Sequence, residues 1–204
     1  MSTCKNLLFD LGNVLLDIDL NNVRKAFIAL GVKDIDTHFT QLNAADVFNR
    51  YETGKITTAE FCHIIQQQSE VSLTEQDVHV AWNAILKDFR KDTIDHILSL
   101  KSKYRIFLLS NTNAMHLDLI HAKASAQLGL NKLDDLFEKA YYSHLMGLRK
   151  PEKEIYQFVL DDAGIESGET LFIDDLEPNI KAAAGLGFQT HLLKEGERVE
   201  QVIF

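Results

Sequence analysis

Four short stretches of this 204-residue chain carry side chains that could do chemistry together. Asp10 follows the apolar run Leu7-Leu8-Phe9, and Gly12 comes two positions later. Phe107-Leu108-Leu109 runs into Ser110-Asn111-Thr112-Asn113, and Leu171-Phe172-Ile173 runs into Asp174-Asp175. Arg149-Lys150-Pro151 stands ahead of a helical stretch. Together they offer a carboxylate nucleophile, a hydroxyl, a lysine, and further carboxylates able to hold a divalent cation. Each has a plain structural reading as well. Asp10 and the acidic pair could serve turns, Ser110 and Thr112 could cap a helix, and Lys150 could be a solvated surface cation. Position favours chemistry, because each stands at a strand exit or before a helix, where open α/β sheets bind ligands.

Such groups need elements to hold them. The apolar run before Asp10 fits a buried strand of a parallel sheet, and Gly12 allows a tight turn and close approach of the backbone. From about residue 21 to 90 the pattern is helical, with no strand expected. Val23, Phe27 and Leu30 mark one face, stopped by Gly31, and Val47 and Tyr51 mark another, ended by Gly54. Thr57 and Glu60 have capping-box spacing ahead of Phe61, Ile64 and Ile65. Ser72 and Glu75 repeat it ahead of Val78, Trp82, Ile85 and Leu86. Trp82 is expected as a core anchor. Beyond Arg90 strand and helix patterns alternate: helix near 94–99, strand 105–109, helix from about 113, strand 140–142, helix 152–163, strand 171–173, helix 177–186 closed by Gly187, and strand 188–193. Pro151 and Pro178 both fall at expected helix starts.

This alternation predicts an α/β fold, a Rossmann-like doubly wound parallel sheet covered on both faces. The helical stretch predicts a small all-helical cap inserted after the first strand. The expected domains are a core of residues 1–16 and 91–204 and a cap of residues 17–90.

Composition narrows the function classes. Apolar content of 46% and charged content of 25% belong to an ordinary soluble globular protein. A net charge of −9 with no offsetting basic cluster argues against a nucleic-acid partner. The same charge repels anionic substrates, so a phosphate site would need a local cation. Cys4 and Cys62 have no metal-type spacing and suit a reducing compartment. No apolar run reaches a membrane-spanning length and no signal-peptide pattern opens the chain, so a cytoplasmic location with no membrane partner is expected. The sequence leaves monomer and homodimer both open.

The motif set resembles the haloacid dehalogenase-like hydrolase superfamily over almost the whole chain. Phe9-Asp10-Leu11-Gly12-Asn13-Val14 is similar to its first motif and Leu108-Leu109-Ser110-Asn111 to its second. Lys150-Pro151, within Gly147-Leu148-Arg149-Lys150-Pro151, is similar to the third, and Phe172-Ile173-Asp174-Asp175 to the fourth. The wording of these motifs resembles most the branch that contains bacterial α-D-glucose-1-phosphate phosphatase. The resemblance implies a Mg²⁺-dependent phosphatase acting on a small phosphorylated metabolite, a sugar phosphate such as glucose 1-phosphate being favoured. Asp10 would form an aspartyl-phosphate. Asp10, the Gly12 carbonyl oxygen and Asp174 would hold Mg²⁺, with Asp175 as a further carboxylate of the metal site. Ser110 and the Asn111 backbone N–H would bind a phosphoryl oxygen, and Lys150 would neutralise charge on Asp10 and on the phosphoryl group.

One position departs from the wider family. Gly12 stands where most of its phosphatases carry a second aspartate as general acid and base, a group worth about 10²–10⁴ in rate. The branch resembled also carries glycine there. Asp17 or Asp19 could substitute, or the leaving group could need little protonation. A metal-free 2-haloacid dehalogenase and a catalytically weak regulatory or binding protein are the alternatives. The adjacent carboxylates Asp174 and Asp175 argue against the first, because they want a cation to compensate them. Substrate selection is expected from the cap, with Arg50, Tyr51, Trp82 and Asn83 as candidates.

Overall fold

The computed structural model describes residues 4–44 and 46–202. Five parallel strands form the main sheet in the order β5-β4-β1-β6-β7, with β1 (Asn6–Phe9) at its centre. In chain order the elements are β1, β2 (Leu16–Ile18), α1 (Leu20–Ala29), α2 (Ile35–Ala44), α3 (Val47–Glu52), α4 (Thr58–Gln68), α5 (Glu75–Asn83) and β3 (Leu86–Phe89). They continue with α6 (Lys91–Leu100), β4 (Arg105–Ser110), α7 (Ala114–Leu128), β5 (Lys139–Tyr142), α8 (Ser143–Met146), α9 (Lys153–Ala163), β6 (Thr170–Asp174), α10 (Glu177–Ala184) and β7 (Gln189–Leu192). The architecture is the α/β one expected, a parallel sheet with a helical insert after its first strand.

Strand alternation sends the apolar side chains to both faces. Leu7 and Phe9 of β1 join Ile106, Leu108 and Ile173 beneath α6 and α7, whose Ile94, Ile97, Leu117 and Ile120 complete that layer. Leu8 joins Phe107, Leu109 and Phe172 on the opposite face, covered by Ile155, Tyr156 and Val159 of α9 and Ala183 of α10. A strand apolar on both faces must lie in the middle of a covered sheet. Polar groups are therefore confined to its ends: Asn6 at the start, bonded to Thr170, and Asp10 just past the C-terminal end.

The insert has its own core, in which Phe27, Phe61, Val78 and Ala81 are almost fully buried. Met115 belongs to the same cluster although it sits on α7 of the sheet layer, so the insert is packed down on the start of that helix. The capping box at Thr57 and Glu60 forms as expected. The second box forms two residues later than expected, between Thr74 and Asp77, and Glu75 is instead the first helical residue. Both pairs have the required spacing, and the later one places Val78 and Ala81 inward.

The expectation of no strand between residues 21 and 90 is overturned by β3. Leu86, expected on a helix face, pairs with Ile18, and Phe89 with Leu16, in a two-stranded antiparallel ribbon. The chain thus enters and leaves the insert through two hydrogen-bonded strands. Pro178 sits in the first turn of α10 as expected, but Pro151 lies in the turn ahead of the α9 N-cap, Glu152, rather than in the helix. Among the described residues no helix is long and apolar enough to cross a membrane.

Candidate active site

Strand register brings the motifs together. Phe9 pairs with Leu108 on one side and Ile173 on the other. The site begins just past this row: Asp10 follows β1, Asp174 ends β6 one residue after Ile173, and Ser110 ends β4 two residues after Leu108. Asp10 is held in line by its backbone N–H, which donates to the Ile173 carbonyl at 2.9 Å.

Lys150 reaches this edge from the turn before α9. Its ammonium donates to Asp10 Oδ1 at 2.6 Å and to Asp174 Oδ2 at 2.7 Å, and the side chain is almost wholly buried. Its backbone is fixed by Asn111: the Asn111 amide donates to the Lys150 carbonyl, and Asn111 Oδ1 accepts from the Lys150 N–H, both at 2.9 Å. The Asn111 side chain is thus committed to positioning the lysine, a use its motif does not announce. The Ser110 hydroxyl is buried, and among the described residues it donates only a long 3.5 Å hydrogen bond to the Asn111 carbonyl. Helix capping is not its task, because Asn113 accepts from the His116 N–H and caps α7. Thr112 is pinned through its backbone to the Ser143 hydroxyl at 2.9 Å and 3.0 Å, so it does not cap either.

Asp10, Asp174 and Asp175 each offer a carboxylate oxygen, and these atoms lie within 4.8 Å of one another. Burial pushes the Asp10 carboxyl well above the usual carboxylate range, the Lys150 ammonium pulls it back, and the charges of Asp174 and Asp175 push it up further. Burial also raises Asp175, against the hydrogen bond it accepts from Asn13. The Lys150 ammonium is disfavoured by burial, yet its two carboxylate partners outweigh that and hold it protonated. One lysine facing three carboxylates leaves negative charge uncompensated. A hard divalent cation fits this oxygen donor set and that deficit.

Two asparagines complete the arrangement, and sequence reasoning singled out neither. Asn179, in the first turn of α10, donates to both Asp174 oxygens at 3.0 Å, and the Leu176 N–H donates to Asp174 Oδ1 at 2.8 Å. Asn13 donates to Asp175 Oδ2 at 3.1 Å and accepts from the Ile18 N–H at 3.3 Å. Asn13, rather than Gly12, carries the left-handed backbone of the turn, at φ 53°. Asparagine tolerates that region better than most residues. A Cβ added at Gly12 would meet Ile18 Cδ1 at 3.2 Å, a side-chain tip rather than backbone.

The other nominated residues divide. Asp17 pairs with Arg90 at 2.7 Å, and Asp19 caps α1 by accepting from the Asn21 N–H, so both have other tasks. Arg50 is exposed. Tyr51 is buried, sharing a hydrogen bond with Thr58 at 2.9 Å and accepting from the Met115 N–H at 3.3 Å. Trp82 stacks between Phe48 and His116, with ring centroids 5.3 Å and 5.5 Å away. Asn83 is half-buried at the end of α5. An ion pair that the sequence did not announce joins the helical insert to the turn before α9: Arg149 to Glu52 at 2.9 Å.

Residues 4–187 match the family described as haloacid dehalogenase-like hydrolase. A D-ribitol-5-phosphate phosphatase of Bacteroides thetaiotaomicron is 33% identical over 192 residues, covering 94% of this chain and 93% of that protein. The crystal structure of a family enzyme from the same organism, in complex with magnesium and inorganic phosphate, is 38% identical at a TM-score of 0.90, covering 98% of this chain and 100% of that one. The structure of a hydrolase of this type from Porphyromonas gingivalis is 35% identical at a TM-score of 0.85, covering 96% of this chain and 94% of that one.

Proposed function

The chain belongs to the haloacid dehalogenase-like hydrolases, and on that premise we propose that it is a Mg²⁺-dependent phosphatase, a phosphoric monoester hydrolase of a small phosphorylated metabolite. The observation that carries this reading is Lys150 lodged between Asp10 and Asp174 at 2.6 Å and 2.7 Å, with Asp175 completing the carboxylate cluster.

In the proposed reaction, Asp10 attacks phosphorus. A carboxylate oxygen–phosphorus bond forms as the bond to the alcohol oxygen breaks, giving an aspartyl-phosphate, and the departing oxygen takes a proton from solvent and leaves as the alcohol. Water then attacks phosphorus and returns Asp10 and inorganic phosphate. Lys150 offsets charge on Asp10 and on the phosphoryl oxygens, and Ser110 and the Asn111 backbone N–H orient that group. The residues that would hold Mg²⁺ are Asp10, the Gly12 carbonyl, Asp174 and Asp175. Bound there, the ion supplies positive charge against the carboxylates and the phosphoryl oxygens. The buried, hydrogen-bonded Asp174 fits this role better than a dehalogenase role, which has no use for three clustered carboxylates.

The finer reading of the substrate is a phosphorylated sugar alcohol or sugar, supported by the relative that acts on D-ribitol 5-phosphate. Glucose 1-phosphate is the other substrate to assay, because the bare Gly12 favours a leaving oxygen that needs little protonation. Release of phosphate from D-ribitol 5-phosphate, glucose 1-phosphate and acetyl phosphate, measured with Mg²⁺ and with EDTA, tests the proposal. Turnover that requires Mg²⁺ is expected. No release from any of the three with Mg²⁺, or equal release with EDTA, overturns it.

A further inference from the structure

The inference concerns the alcohol side of the ester and rests on the phosphatase reading above. A cavity of about 240 Å³ lies in the insert, walled by Val23, Phe39, Phe48, Trp82 and Ile85. Three further wall residues tie it to the catalytic loops. Leu20 lies two residues beyond Ile18, the side chain nearest a Cβ at Gly12. Glu52 is ion-paired to Arg149, the residue before Lys150. His116 is bound by Asn113, the helix cap that follows Ser110 and Asn111. Two wall residues are thus bonded to groups beside the catalytic ones: His116 to the cap of the helix that follows Ser110 and Asn111, and Glu52 to the neighbour of Lys150.

Its polar groups are few and mostly spent. His116 places one ring nitrogen against the Asn113 amide at 3.0 Å and the other against the Trp82 carbonyl at 3.3 Å. Burial lowers its pKa to about 4, so the ring is neutral at physiological pH. Glu52 is engaged by Arg149 at 2.9 Å. Trp82 Nε1 is buried and has no hydrogen-bond partner among the described residues. A polyol chain would bury several hydroxyls against aromatic carbon here, each at a cost unless it is hydrogen-bonded. A hydrocarbon chain would not.

We propose that this chamber receives the leaving group of a second substrate class, phosphate monoesters of apolar alcohols, with the hydrocarbon chain against Phe48, Trp82 and Ile85 and the phosphate at Asp10. Burying apolar surface is worth about three- to fourfold in binding per methylene. The enzyme should therefore read chain length until the chamber is full.

Two measurements decide this, and one needs no turnover. First, kcat/KM is measured with Mg²⁺ for ethyl, butyl and hexyl phosphate. A rise of at least tenfold from ethyl to hexyl is expected, and Ile85→Phe, which narrows the chamber, should cut the hexyl-to-ethyl ratio at least fivefold. Second, the chain has a single tryptophan, Trp82, so its fluorescence reports on the chamber directly. Titration with hexylphosphonate should shift the emission, and methylphosphonate should not. A flat length series, or no Trp82 response to hexylphosphonate, overturns the proposal. If acetyl phosphate is still hydrolysed with Mg²⁺ in either case, the phosphatase reading stands and only the chamber assignment falls. If nothing is hydrolysed, the phosphatase reading falls, and the hexylphosphonate titration still decides whether the chamber takes an apolar chain.

Discussion

The core side and the cap side of this molecule meet at α7 and are held by different forces. On the core side, Lys150, Asp10 and Asp174 are buried together within 2.6–2.7 Å contacts, Asn179 and the Leu176 N–H donate to Asp174, and Asn111 holds the Lys150 backbone. On the cap side, Phe27, Phe39, Phe48, Trp82 and His116 meet as a chain of rings with centroids 5.3–6.1 Å apart. Buried charge tolerates little displacement, because each unsatisfied group carries its full desolvation cost. Aromatic packing is less directional and accepts volume-conserving exchange. On the proposed reading, chemistry is lodged where the backbone is locked by strand register, and selectivity where side chains can be exchanged. If that division is right, substitutions at the sheet edge should act on charge and rate, and substitutions in the cap on docking and substrate choice.

The largest effect belongs to Asp10→Asn. If the carboxylate is the nucleophile, kcat should fall by at least about 10⁴-fold, in line with loss of other covalent catalysts, while the circular dichroism spectrum and the melting temperature stay close to wild type. Retained activity in the folded variant would break the assignment of chemistry to the core.

Lys150→Met should be the most destabilising change at the sheet edge. It strips the positive partner from buried carboxylates, a class of change that costs about 3–5 kcal/mol. Urea unfolding at pH 7 in EDTA measures it, and added Mg²⁺ should recover part of the loss by supplying charge to the same cluster. A loss that Mg²⁺ leaves untouched would show that packing of the lysine stem, and not charge, was at stake.

His116 tests the cap side by pH. Burial depresses its pKa from 6.5 to about 4. Above pH 6.5 the ring is neutral in both states and there is no penalty. As pH falls through 6.5 the unfolded chain takes up a proton that the native state refuses, so native stability declines until about pH 4. The accumulated loss is roughly 3 kcal/mol. Unfolding free energies of wild type and His116→Gln across pH 4–7 should therefore diverge in slope, with the variant less acid-sensitive. Parallel profiles would remove His116 from the account of cap docking.

Asn179→Ala should weaken Mg²⁺ by about 10–100-fold, the usual range for partners that orient a metal ligand. Isothermal titration calorimetry reads this without turnover. Smallest of all, Glu52→Gln should cost at most about 1 kcal/mol of stability, because the pair with Arg149 is about a quarter exposed on each side. Salt should shrink the difference. A larger, salt-independent loss would mean that the cap is held by charge after all, and would blur the contrast drawn above.

Much of this was readable in the chain because it is local. Two-faced apolar runs specify central strands, and Thr57 with Glu60 specifies a helix start, each within a few residues. The order of Asp10, Ser110, Lys150 and Asp174 could likewise be read as a set. Where local rules allowed two answers, the sequence alone did not choose. Ser72 with Glu75 and Thr74 with Asp77 have the same spacing, and only packing of Val78 and Ala81 selects the second. The strand at Leu86–Phe89 was illegible because its partner, Leu16–Ile18, lies some 70 residues earlier in the chain.

The site divides in the same way. Residue types and their order determined which groups were available: a carboxylate after an apolar strand, a lysine before a helix, an acidic pair after another strand. The tertiary structure alone decided that Lys150 meets an aspartate 140 residues away, that Asn111 fixes the lysine backbone rather than offering its side chain to solvent, and that Asn13 and Asn179 serve the carboxylates. The reason is physical. Parallel strand pairing sets Asp10 beside Asp174, and the turn that Asn111 anchors delivers Lys150 to both. The hydrogen-bond partners of these groups are then selected by direction and distance, which no spacing along the chain records.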